Sequence, residues 1–173
     1  SLKKLTGINN RFISTANQTS EQIALDVCKK LKKSEIKKLT HLISVTNTPS
    51  IKFPGISNYI ASSLKIENVH CLNLNAGCTG YVDALILSND ILKNNIKSKI
   101  LIITSDTYSK FIEKKNKNIR PLFSDGASIS VIEYSKNGFK LTKKITKNLI
   151  ETQNDLIFKN QFIEMNGPAL VSF

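Results

Sequence analysis

The sequence has no tryptophan, only two arginines, Arg11 and Arg120, and only two histidines, His41 and His70. Groove-reading and base-stacking proteins rely on arginine forks and stacked aromatics, and aromatic residues make up only 7% of this chain. Nucleic acid is therefore not the expected partner, despite a net charge of +12 from 25 basic and 13 acidic residues. Lysine carries nearly all of that charge, in a chain also heavy in Ile and Asn, as an AT-rich coding sequence would produce. An acidic partner met through a lysine patch stays open. No apolar run approaches the roughly 18 residues of a membrane span, and no secretory leader opens the chain, so no membrane association and a cytoplasmic location are expected. Cys28, Cys71 and Cys78 form no CxxC pair and no metal-ligand spacing with the histidines, so free thiols are expected and no metal. The first residue is Ser rather than Met, which fits a piece of something longer.

What is present reads as one α/β domain over residues 1–173, without internal repeats or a low-complexity linker. Thr19 and Gln22 form a capping-box signature, and Ile23, Val27 and Leu31 continue as the stripe of a helix over residues 19–33. Residues 41–46 read as a buried strand, and Pro54 and Gly55 open a helix with the stripe Ile56, Tyr59, Ile60, Leu64. A strand at 69–75 runs into Ala76-Gly77-Cys78-Thr79-Gly80 and a helix marked by Val82, Leu85, Ile86 and Leu92. Residues 100–104 look like a strand buried on both faces. This βαβαβ array predicts parallel strands with right-handed crossovers. Residues 128–134 and 139–145 read as two further strands joined at Asn137-Gly138 in a hairpin, which predicts a mixed sheet with helices on both faces.

The segment around Cys78 has the order strand, Gly-flanked turn, nucleophilic side chain, helix. That places Cys78 at a helix N-terminus beyond the carboxyl end of a strand, where open α/β sheets bind ligands. Unpaired N–H groups at such a position stabilise a thiolate, and Gly77 and Gly80 would let a substrate carbonyl approach the backbone. On the pattern alone a second reading is equally open: a small buried thiol beside glycines that merely let a helix pack on a sheet. Cys71 within the strand and Cys28 beside a helix stripe read as inert core thiols. A base is expected near a nucleophilic thiol, yet His41 and His70 both open their strands, which puts them on the order of 15 Å from the turn, at the wrong end of the sheet. A self-contained Cys-dependent acyl hydrolase would need one of them within hydrogen-bond reach of Cys78.

Several segments, in order, resemble the ketoacyl-ACP synthase III family of condensing enzymes. They are Thr6-Gly7-Ile8 with Arg11, Phe53-Pro54 ahead of a helix, Ala76-Gly77-Cys78-Thr79-Gly80, Phe123-Ser124-Asp125-Gly126-Ala127, and Met165-Asn166-Gly167. The resemblance covers essentially the whole chain and implies the N-terminal half of a thiolase fold, without the family's first strand and C-terminal half. It implies that Cys78 accepts an acyl group from an acyl-CoA thioester, with its own backbone N–H as an oxyanion donor, and passes it to a carbanion from decarboxylated malonyl-ACP. It further implies acyl carrier protein and coenzyme A thioesters as partners and substrates, no tightly bound cofactor, and a homodimer. Asp125, Gly126 and Ala127 resemble a loop that holds the elbow from behind. Phe53 matches a residue that caps the neighbouring subunit's acyl tunnel; read locally, its ring is either exposed in a monomer or folded back on Ile56 or Ser57.

The departures bear on the substrate more than on the fold. The family's catalytic His and Asn are expected beyond Phe173, and its CoA-gripping Trp is missing. Leu5 stands where Arg is usual, Arg120 is three residues out of step with a CoA-contacting Arg, and Ser124 and Ser128 replace glycines. Two readings follow: a synthase III-like acyltransferase of fatty-acid or related acyl-chain synthesis, or a truncated or inactive thiolase-like subunit acting by dimerisation or carrier-protein binding.

Overall fold

A computed structural model describes residues 4, 6–148 and 150–167; Leu5 and Phe173 lie outside the described residues. The chain divides into two compact units, one formed by residues 15–106 and 126–144, the other by 1–14, 107–125 and 145–173.

The larger unit is built on a mixed four-stranded sheet. In chain order it contains α1 (Ser20–Cys28), the short α2 (Lys33–Ile36), β1 (His41–Val45), α3 (Ile56–Ser63), β2 (His70–Leu74), α4 (Gly80–Asn94), β3 (Lys99–Asp106) and β4 (Gly126–Glu133). The strand order is β2-β1-β3-β4, with β1 parallel to both β2 and β3 and β4 antiparallel to β3. Period-two alternation sorts the strands onto two cores. Leu42, Leu101 and Ile103 pack with Ala24 and Cys28 of α1 and Ile56 and Ile60 of α3. On the other face Ile43, Ile100 and Ile102 pack with Ala84 of α4. The sheet is thus covered by helices on both faces, as the sequence predicts.

Two sequence expectations fail here. The helix expected over 19–33 begins on the Thr19–Gln22 capping box but ends at Cys28, because Leu31 N–H turns back to Cys28 O in a tighter i→i+3 bond. The hairpin at Asn137-Gly138 does not form. Residues 135–148 are exposed and hold no strand, and Phe139 is fully exposed. β4 takes its antiparallel partner from β3 instead, in a register running from Lys99↔Glu133 to Asp106↔Gly126. Phe139 and Leu141 instead line a surface depression with Leu92, Ile96 and Tyr134, without forming a strand.

The smaller unit has its own core of Ile112, Ile119 and Ile163 with Tyr108, Phe111, Phe123 and Met165. A hairpin that the sequence reading passed over joins β5 (Leu156–Lys159) to β6 (Phe162–Met165). Its two loop residues, Asn160 and Gln161, both have positive φ (49° and 68°), the backbone of a type I′ turn. Residues 11–14 run along 120–125. The Arg11 guanidinium donates to the carbonyls of Arg120 and Phe123, and Ser124 bonds both the N–H and the carbonyl of Phe12. Ser124 therefore ties down this segment. Arg120 donates to Lys114 O, a local contact.

Candidate active site at the carboxyl edge of the parallel strands

β2 ends at Leu74, and the chain enters a single 3-10 turn at Gly77–Thr79 that continues into α4. Gly77 has φ +56°, the left-handed backbone needed to reverse the chain within one residue, and a Cβ there would touch nothing. Gly80 differs. A Cβ on it would lie 2.4 Å from Val45 Cγ1, so its missing side chain lets the first turn of α4 sit directly on β1. Cys78 stands between the two and is exposed, so it is not a core filler. The Thr79 hydroxyl lies 2.9 Å from both Ala76 O and the Asp83 carboxylate, closing the turn behind the thiol.

The other thiols differ in kind. Cys28 is fully buried in the α1–α3 core, and burial pushes its thiol up to about 12. Cys71 is half-buried in β2, and burial raises it too. His41 and His70 lie opposite each other at the amino ends of β1 and β2, with ring centroids 5.6 Å apart. Burial first, and the neighbouring His70 second, lower the His41 pKa. Four strand steps of about 3.3 Å separate His70 from Leu74, and the turn lies further on, so neither histidine reaches Cys78. The hydrolase reading fails on that geometry. Among the described residues no group of three or more His, Cys, Asp or Glu could hold a metal ion.

Phe53 lies on the loop between β1 and α3, and it is 92% exposed, so its ring does not fold back on Ile56 or Ser57. Three polar groups that the sequence reading did not single out hold this loop: buried Glu21, half-buried Asp106 and exposed Asn73. At its start, Asp106 Oδ1 at the end of β3 accepts from Asn47 N (2.8 Å), Thr48 N (3.0 Å) and the hydroxyls of Thr48 and Thr46. Burial raises the Asp106 pKa, and these donors offset the effect only in part. In the middle, Glu21 in the first turn of α1 accepts from the N–H groups of Ser50 and Ile51, both at 2.8 Å, and from the Ser50 hydroxyl at 2.6 Å. Burial works against the Glu21 charge, yet the donors outweigh it and hold the carboxyl below its usual range. At the end, Asn73 of β2 accepts from Ser57 N and Ser44 Oγ and donates to Pro54 O, filling the space a Cβ on Gly55 would need. A further bond from Asn47 Nδ2 to Asn75 Oδ1 (2.6 Å) joins the Phe53 loop to the segment that carries Cys78. A lone Glu in a first turn or Asp at a strand end carries no sequence signal for such a role.

In the smaller unit, the Asp125 carboxylate accepts from the N–H and hydroxyl groups of both Ser14 and Ser109, at 2.6 to 2.8 Å. Burial opposes its charge, but these four donors win and hold its pKa down. The aspartate is a structural hub.

The family model for 3-oxoacyl-[acyl-carrier-protein] synthase III matches residues 72–148, the stretch that contains Cys78. A beta-ketoacyl-[acyl-carrier-protein] synthase III of Clostridium botulinum (strain Hall) is 29% identical over 189 aligned positions, covering 99% of this chain and 58% of the relative. The chain is a relative of the 3-oxoacyl-ACP synthases III. Solved structures agree on the thiolase fold: a 3-oxoacyl-(acyl-carrier-protein) synthase III superposes with a TM-score of 0.90 at 22% identity, over 99% of this chain and 60% of that one. An HMG-CoA synthase solved with CoA superposes at 0.82 and 14% identity, over 97% and 43%. The chain thus spans less than two thirds of the synthase III relatives that it matches.

Proposed function

We propose that residues 1–173 are the N-terminal, acyl-accepting half of a 3-oxoacyl-ACP synthase III-like acyltransferase. The observation that carries this reading is an exposed Cys78 on a left-handed glycine turn at the carboxyl edge of parallel strands, within the segment that matches the family. The Cys78 thiolate attacks the carbonyl carbon of an acyl-CoA; the Cys78–acyl bond forms, the carbon–sulfur bond to coenzyme A breaks, and coenzyme A leaves as its thiolate. The backbone N–H of Cys78 supports the oxyanion, with Gly77 keeping the approach free of a side chain and Gly80 letting the first turn of α4 sit against β1. The acyl group then passes to the carbanion of decarboxylated malonyl-ACP in fatty-acid or related acyl-chain synthesis. The His and Asn that drive decarboxylation belong to sequence beyond Phe173. Coenzyme A enters as a substrate thioester rather than a resident cofactor, acyl carrier protein is the second partner, and the setting is the cytoplasm.

The working protein is a homodimer in which Phe53 reaches the partner's acyl pocket. Its 92% exposure on a loop pinned by Asp106, Glu21 and Asn73 supports this, since a rigidly presented, solvent-facing aromatic is the usual form of an interface anchor.

The test is incubation of the chain with acetyl-CoA and intact-mass measurement. An acetyl adduct that maps to Cys78, is released by hydroxylamine and is absent in Cys78→Ala supports the reading. No adduct, or one on Cys28 or Cys71, overturns it. The same chain should not condense the acyl group with malonyl-ACP, because losing even one donor to the developing enolate costs about 10²-fold or more.

A further inference from the structure

At the end of the sheet opposite Cys78, the C-terminal ends of α1 and α3 and the short α2 line a cavity of about 700 Å³ that is half open to solvent. Its apolar lining is Leu31, Ile36, Leu64 and Ile66, and lysines 29, 33, 37 and 65 stand around it with one acid, Glu67. Leu31, Leu64 and Ile66 also pack on the α1–α3 core, whereas Ile36 is half-buried without joining that core. Ile36 is thus an apolar side chain whose open side faces the cavity.

Lysines at helix C-termini ordinarily answer the helix dipole, and that explanation falls short here. The last carbonyls of both helices already accept backbone N–H groups: Leu25, Val27 and Cys28 from residues 29–31, and Ile60, Ala61 and Ser62 from residues 64–66. Lys29 sits 3.8 Å from Asp26, and no carboxylate lies within ion-pair distance of Lys33, Lys37 or Lys65 among the described residues. Two helix ends contribute about half a negative charge each. With Glu67 added, these three lysines still leave an excess of about one positive charge beside an apolar floor; on the same stretch Glu35 is paired with Lys99, and Lys30, Lys32 and Lys38 add to the excess.

We infer that this cavity binds a single-chain amphiphile with one anionic head, a medium- or long-chain carboxylate, its chain over Ile36 and the floor and its carboxylate among the lysines. The volume lies within the range of small-molecule sites. The apolar lining is only four residues drawn from two short segments, a footprint for an alkyl chain rather than a trough for the repeated anchors of a docked helix. The inference is independent of the role proposed for Cys78.

The experiment titrates the isotopically labelled chain with laurate, below its micellar concentration, and follows amide shifts together with calorimetry. Saturable binding is expected, with shifts centred on residues 29–37 and 63–67. Lys33→Glu with Lys37→Glu should weaken it at least about fivefold. Ile36→Gln, which leaves the core intact, should weaken it about fivefold with an unchanged melting temperature. Dodecyltrimethylammonium, with the same chain and the opposite charge, should bind at least about fivefold more weakly than laurate. No saturable binding, shifts centred elsewhere, or affinity indifferent to the lysine reversals or to the sign of the head group would each overturn the inference. Binding of an acidic amphipathic peptide at these residues in place of laurate would overturn it in favour of a protein partner.

Discussion

Replacing Glu21 by Gln should lower stability in a way that depends on pH, because the buried Glu21 carboxylate anchors the loop that presents Phe53. Oε1 accepts two backbone N–H groups at 2.8 Å, while Oε2 accepts the Ser50 hydroxyl at 2.6 Å and lies 3.3 Å from that of Ser20. Glutamine in its best orientation keeps an oxygen on the two backbone donors and turns its amide toward the hydroxyls, which can rotate to accept. The two backbone bonds then lose their charge assistance, a difference of about 1 kcal/mol each, or about 2 kcal/mol together. For a chain of this size that corresponds to a fall in melting temperature of roughly 4 to 8 °C near neutral pH. The folded-state pKa of Glu21 lies below the ordinary glutamate value, so its stabilisation is fully present above that value and is lost as pH falls through the folded pKa. Thermal melts of the wild type and Glu21→Gln should therefore differ most near pH 7 and converge only as pH falls through the lowered folded pKa, below the ordinary glutamate value. Tryptic cleavage after the exposed Lys52 should quicken in the variant at neutral pH, reporting on the loop itself. A melting difference that does not change with pH, or one below about 1 °C at neutral pH, would refute the argument that the charge holds the loop.

Three other outcomes follow from the same geometry. Iodoacetamide at neutral pH, with adducts mapped by mass spectrometry, should label Cys78 well before Cys71 and leave Cys28 unmodified until the chain unfolds, since burial pushes the Cys28 thiol up to about 12. Gly80→Ala should cost about 1 to 3 kcal/mol in denaturant unfolding because its Cβ would meet the buried, β-branched Val45, whereas Gly77→Ala should cost about 1 to 2 kcal/mol through its positive φ alone; equal stability of Gly80→Ala and wild type would show that the α4–β1 contact is looser than described. Asp106 has a raised folded pKa, so its ionisation detracts from stability as pH rises through that value; Asp106→Asn, which keeps an acceptor for Asn47 and Thr48, should melt at or above the wild-type temperature at neutral pH, while Asp106→Ala should melt lower.

The sequence by itself determined the features whose cause is local. The Thr19–Gln22 capping box sets where α1 begins, the apolar runs of β1 and β3 demand burial on both faces, and Gly77-Cys78 between a strand and a helix places the thiol at the carboxyl edge of the sheet. The order of elements alone likewise puts His41 and His70 at the far end of the sheet. Tertiary structure decided what depends on partners distant in the chain. Asn137-Gly138 carries the strongest local hairpin signal, yet the residues after it form no strand and β4 pairs with β3. Gly80 reads as an approach for substrate until Val45 is found beneath it. The anchors of the Phe53 loop, Glu21, Asp106 and Asn73, lie some 20 to 60 residues from most of the groups they hold. No periodicity or propensity encodes such pairs, because a carboxylate is tolerated away from water only once folding has brought its donors to it.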